Sequence, residues 1–175
     1  MNKSFVHRLF YPVTPVIITA ESEGIIGGMP ANSCMPLSFN PQLIGLSVNP
    51  EHRTHTLISE SNYFCVNWIN RKHSPKMELL ASRSGEDVKD KLSAAGFSVT
   101  IGRTTPLPVL KEAVAVVECK VKERHVIGDH DLFVAEGLDA YASPDFGKYW
   151  RFKNYWPILY TGSTKEEKFK MLSLK

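Results

Sequence analysis

Gly27-Gly28-Met29-Pro30-Ala31-Asn32-Ser33-Cys34-Met35-Pro36-Leu37-Ser38-Phe39-Asn40-Pro41 separates two apolar runs, residues 14–19 and 43–48, that read as strands. Loops of this length are uncommon in compact domains and are often functional. The paired glycines let the backbone come close to another group, and the three prolines stiffen the path. Between them Asn32 and Ser33 offer short donors and acceptors with little entropy to lose on ordering. A stiff, polar ledge between strands suits a flat, hydrogen-bonding ligand. The plainer alternative is a surface connection rich in turn residues.

Upstream, residues 1–11 read as a short helical lead-in with Phe5, Leu9 and Phe10 on one face, and Ile25-Ile26 as the start of a strand ending at the Gly-Gly pair. Downstream of Asn49-Pro50, Leu57 and Ile58 indicate a brief helix with Arg53 and Thr54 in its first turn. Free N–H groups, a guanidinium and a hydroxyl there make an anion site; a capped surface helix is the alternative. Residues 63–69 form a strand with Phe64, Val66 and Trp68 on one face and Cys65 and Asn67 on the other. Residues 74–95 are helical in two pieces, one carrying Met77, Leu80 and Ala81, the other Val88, Lys91, Leu92 and Ala95, with Gly96 as terminator. Residues 101–110 read as a turn-rich connection.

The longest strand signal spans residues 113–124, where Val117, Cys119 and Val121 alternate with Glu118, Lys120 and Lys122. Residues 131–141 pair with it across the link 126–130. An aromatic-rich tail follows over 146–160, and residues 165–174 suit an amphipathic helix burying Phe169 and Leu172. Short alternating strands with brief helices between them point to a mainly β, antiparallel barrel within one domain, residues 1–175.

Composition narrows the function. The net charge of +3 arises from 21 basic and 18 acidic residues dispersed along the chain, without a basic block interleaved with aromatics, so nucleic acid is not an expected partner. No apolar run approaches membrane-spanning length, and the N-terminal residues lack a signal-peptide core. Cys34, Cys65 and Cys119 are an odd number without a Cys-x-x-Cys, which favours a reducing, cytoplasmic setting over a disulfide framework or zinc site. His52 and His55 have no third ligand nearby, so no metal is expected.

Several segments, in order, resemble the flavin reductase-like, FMN-binding split-barrel family: residues 31–44, Arg53-Thr54-His55-Thr56-Leu57-Ile58, Tyr63-Phe64-Cys65-Val66-Asn67, Asp90-Lys91-Leu92 and Gly128-Asp129-His130-Asp131-Leu132-Phe133. The resemblance covers about residues 11–141. It implies a six-stranded Greek-key split barrel working as a homodimer, with FMN at the dimer edge and hydride from NADH or NADPH. By position, Ala31, Asn32, Ser33 and Cys34 would edge the isoalloxazine, and Val48, Asn49 and Pro50 would line the same pocket. Arg53, Thr54 and His55 would meet the phosphate, with Lys91 as a further cation. His130 would be the catalytic residue, beside the face where nicotinamide stacks; a hairpin residue satisfying its own turn is the alternative. Family members often carry Ser or Thr in place of Asn32 and a bulky residue in place of Cys34. Cys34 would then touch the flavin or act as a small apolar filler.

A flavin carries the redox chemistry itself, which accounts for the lack of a nucleophile–base motif, and no Gly-x-Gly-x-x-Gly follows a strand. Three functions are compatible: an NAD(P)H-dependent flavin or ferric reductase, with a monooxygenase as a potential recipient; a flavoredoxin-like electron carrier with a protein redox partner; and a flavin-binding module without turnover.

Overall fold

The computed structural model describes residues 3–82, 90–162 and 171–172. A 3-10 helix, Lys3–Phe10, leads in, with Leu9 and Phe10 exposed. Strand β1 (Val16–Ser22) is buried on both faces: Val16, Ile18 and Ala20 join one core cluster while Ile17 joins another. Its unbroken apolar run follows from that double burial. Glu23 and Gly24, both at positive φ, turn it into β2 (Ile25–Ala31).

The Gly-Gly pair does not end this strand. A Cβ on Gly27 would lie 2.5 Å from Leu57 Cδ1, and one on Gly28 would lie 2.8 Å from Leu92 Cδ2. The glycines are therefore small because helices α1 (Arg53–Ser61) and α3 (Lys91–Ala94) press on β2, not because a ligand does. Cys34–Phe39 forms β3 and Gln42–Val48 forms β4. The expected long loop shrinks to the joint Asn32-Ser33.

With β5 (Tyr63–Ile69), β8 (Ala113–Ile127) and β9 (His130–Ala142), these strands make one antiparallel sheet of seven strands, one more than expected, in the order β2-β1-β5-β8-β9-β4-β3. Laid flat, its edges would stand ~29 Å apart at about 4.8 Å per strand. Yet β2 and β3, the two edges, are separated in sequence only by Asn32 and Ser33, a reach of at most ~11 Å. The sheet must curl, and among the described residues no ladder joins its edges. This is a split barrel.

The barrel interior holds Ile18, Leu46, Phe64, Val66 and Phe133, sealed by Leu57 and Ile58 of α1. A second cluster places Met77 and Leu80 of α2 (Ser74–Ser82) and Leu92 of α3 against Ile17. Gly96, at φ 82°, follows α3 as expected. Val88 lies outside the described residues, as does most of the expected final helix. Of the latter, Met171–Leu172 forms β11, a strand paired with β10 (Leu159–Tyr160).

One expectation about the outer face needs correction. The turn-rich connection contains a hairpin, β6 (Val99–Ile101) with β7 (Pro108–Leu110). Residues 103–105 of this segment close over Glu118 of β8, which is fully buried. The Glu118 carboxylate accepts N–H bonds from Arg103 (2.6 Å), Thr104 (3.1 Å) and Thr105 (2.8 Å), and the Thr105 hydroxyl at 2.7 Å. Burial alone would raise its pKa, but the Thr105 hydroxyl and these backbone donors hold the carboxyl below its usual range. A Cβ on Gly102 would lie 2.8 Å from the carboxylate, so that approach requires glycine.

Candidate active site

The joint between the sheet edges is a polar corner. Ser33 Oγ donates to the Ser47 carbonyl at 2.6 Å, and Ser47 N–H donates to the Ser33 carbonyl at 3.1 Å. Asn32 is exposed and donates from Nδ2 to the Tyr11 hydroxyl at 2.9 Å. Pro15, Pro30, Ala31, Asn32 and Tyr160 surround a hollow of about 150 Å³. Cys34 packs against the barrel core, and burial pushes its thiol up to about 12. That shift keeps the thiol neutral at physiological pH.

Val48, expected in the same pocket, is buried in the barrel core. It offers little surface to a ligand. After it, Asn49 Oδ1 accepts from Glu51 N–H at 2.9 Å and Pro50 is exposed, which turns the chain into α1. The first turn of α1 has no acidic residue, and His52 at its N-cap makes no side-chain cap bond. Arg53 is half-buried and Thr54 buried in that turn. The His52 pKa is lowered, first by burial and then by the charges of Lys91 and His130. The start of α1, Lys91 on α3 and His130 on the hairpin thus lie within electrostatic reach of one another. Burial lowers the Lys91 pKa as well. A helix start whose first turn carries Arg53 and no carboxylate suits an anion.

His55 does not fit its expected role. It is buried, and its Nε2 lies 2.7 Å from Asp131 Oδ2. Since an ionised carboxylate only accepts, Nε2–H is the donor. Asp131 also receives Arg124 Nε at 2.7 Å. The His55 hydrogen bond is the leading cause that lowers the Asp131 pKa; burial opposes it and Arg124 assists. His130 is half-exposed, and its Nδ1 pairs with Asp129 at 2.8 Å.

The flavin reductase-like domain model matches residues 7–165. The chain belongs to the flavin reductase-like domain family. Among its relatives, an uncharacterized protein of Aeropyrum pernix is 35% identical over 91% of this chain, which spans 61% of that relative's length. A ferric-chelate reductase (NAD(P)H) of Archaeoglobus fulgidus is 32% identical over 71% of this chain and 72% of its own. The FMN-binding protein of Thermus thermophilus, solved with p-hydroxybenzaldehyde, superposes with a TM-score of 0.79 at 25% identity, covering 93% of this chain and 87% of its own.

Within this family frame, Ser33 bonds Ser47 near the end of β4, Val48 pairs with Asp131 next to His130, and Lys91 and His130 both act electrostatically on His52. The residues that sequence reasoning missed are Asp131, Arg124 and Tyr11. Asp131 carried a readable signal: two-residue periodicity puts it on the face of Phe133 and Ala135, where a carboxylate requires partners. Among the described residues, no helix is long and apolar enough to cross a membrane, and no cluster of His, Cys, Asp and Glu could hold a metal.

Proposed function

We propose that this chain, residues 1–175 acting as one domain, binds FMN between the Asn32-Ser33 joint and the first turn of α1. It uses that FMN to pass hydride from NADH or NADPH to a flavin or a ferric chelate. This reading is supported by the polar Asn32-Ser33 joint at the barrel's split, bonded to the end of β4 through Ser47, and by the start of α1 just after that strand, whose first turn has no acidic residue. The described residues fit FMN: the first turn of α1 has no acidic residue, its N-cap makes no side-chain cap bond, and Arg53 lies in it with Lys91 within electrostatic reach of His52. Names among the relatives support the chemistry, the ferric-chelate reductase (NAD(P)H) and the FMN-binding protein above all.

When bound, FMN supplies the hydride-accepting chemistry, and the protein's part is to bind and orient. Arg53, Thr54, the α1 amides and Lys91 hold the phosphate, while residues 31–34 edge the ring. Asp129 fixes His130 through Nδ1–H, which leaves Nε2 as an acceptor in the neutral ring. That ring orients the nicotinamide. The exposed apolar side chains of edge strand β3, Met35, Leu37 and Phe39, support a homodimer, since a lone chain leaves them in water. A cytoplasmic setting with a monooxygenase or other redox partner as recipient fits this reading.

Steady-state oxidation of NADH and NADPH with FMN, FAD, riboflavin and ferric chelates in turn tests it. Turnover with at least one pair is expected. A flavin-loaded protein that neither nicotinamide reduces would instead stand as an electron carrier, with Asp129 and His130 as hairpin structure.

A further inference from the structure

The arm that carries His130 has little to rest on. From Lys122 to Ile127 every residue of β8 is exposed, and the turn Gly128-Asp129 projects beyond them. The β4 ladder supports β9 only as far as the pair Val48↔Asp131. Asp131 is therefore the last buried residue before the arm runs free, and it is 2% exposed. Its Oδ2 meets His55 Nε2 at 2.7 Å from α1, and Arg124 Nε at 2.7 Å and Nη2 at 2.5 Å from β8. Arg124 Nη1 also donates to Ser59 Oγ of α1 at 3.3 Å. Phe133 lies beneath, 5.3 Å from the His55 ring and 5.8 Å from the Arg124 guanidinium.

His55 directly follows Thr54, in the proposed phosphate grip, and Asp131 directly follows His130. We propose that Asp131 is a positioning residue that locks the first turn of α1 to the His130 arm, so that an anion held at α1 also fixes His130. The proposal rests on the FMN reading above. Its physical basis is that a buried carboxylate cannot let go of His55 or Arg124 without leaving a charge unpaired, so the two segments move together. Ordering one then orders the other without any contact between phosphate and His130.

Hydrogen exchange at residues 126–130 tests the coupling, with FMN and riboflavin compared at saturation. In the wild-type chain FMN should slow exchange there at least about fivefold more than riboflavin, which lacks the phosphate. Asp131→Asn and His55→Phe should erase that difference. His55→Gln, which keeps an N–H donor, should restore part of it. If Asp131→Asn does not fold, the His55 pair decides. FMN protection that persists in His55→Phe overturns the proposal, as does equal protection by FMN and riboflavin in the wild-type chain; both leave the FMN reading standing. A wild-type chain that fails to quench FMN fluorescence overturns the FMN reading and the proposal together.

Discussion

Two carboxylates on neighbouring strands are buried in opposite manners. Glu118 on β8 is clasped by three consecutive backbone N–H groups and one hydroxyl from residues 103–105. Asp131 on β9 is held by two side chains, His55 and Arg124, and the Arg124 side chain is 45% exposed. Backbone donors fixed in a turn lose little entropy when they bind, whereas long side chains must be ordered. The first arrangement is a permanent tether for the β6–β7 hairpin. The second is a joint between segments that carry candidate site residues, and its strength depends on groups that water can reach. Buried charge serves the fold at one place and links fold to site at the other.

That contrast is broken most severely by Glu118→Gln. One oxygen then becomes an NH2 facing N–H donors, so a loss of about 2–3 kcal/mol is expected, a melting point roughly 4–12 °C lower. The pH dependence has a definite sign. The folded pKa of Glu118 lies below its unfolded value, so its stabilisation is present above about pH 4.3 and fades as pH falls through the folded pKa. Urea unfolding across the acid range should show a steeper fall for the wild-type chain than for Glu118→Gln; parallel curves would remove the clasp from the account.

Arg53→Ala comes next. A charge-assisted bond to a phosphate contributes roughly 1.5–3 kcal/mol, so FMN affinity should drop about 10- to 100-fold while riboflavin is almost indifferent. Equal losses for both ligands would place Arg53 with Glu118, among the residues that serve the fold. His130→Ala should leave FMN binding nearly intact and slow flavin reduction by NADH by about an order of magnitude, with dithionite reduction unchanged. Stopped-flow absorbance separates these, and equal slowing of both reductants would deny His130 an orienting role. The smallest effect is expected for Lys122→Ala on the same two strands. The exposed Lys122–Glu136 pair, at 3.1 Å, should contribute less than about 1 kcal/mol. A larger loss would show that burial is not what separates strong from weak charge in this sheet.

Strand β5 was legible to its ends because it is a short run rich in aromatic and apolar residues, with Phe64 and Val66 packing in one core cluster and Cys65 in another. Asn67 on it is satisfied internally, donating to the Ile17 carbonyl and accepting from Leu110 N–H. The Gly-Gly pair was rightly read as a close approach, which is to Leu57 and Leu92, but wrongly as a strand end, because glycine marks the approach without saying whether the strand continues past it. The burial of Glu118 was not legible, because alternation tells which face a residue takes, not whether another element covers that face. His55 and Asp131 are 76 positions apart, and nothing local in either segment announces the other. Local pattern thus revealed β1, β4, β5, β8 and β9, the α1 start and the β8–β9 hairpin, while β3, the β6–β7 hairpin and the ties between elements came only with the fold.

The order of strands also governs when the molecule can assemble. β1–β2 and β3–β4 are local hairpins, yet they meet only through the β8–β9 hairpin, which pairs with β5 on one side and β4 on the other. A chain emerging from the ribosome therefore carries two unjoined halves with open edges until Ala142 is made. Sheets that wait on such distant pairings fold slowly and expose strand edges meanwhile. The hairpin that presents His130 is thus also the keystone of closure, and changes there should be felt in folding yield before they are felt in turnover.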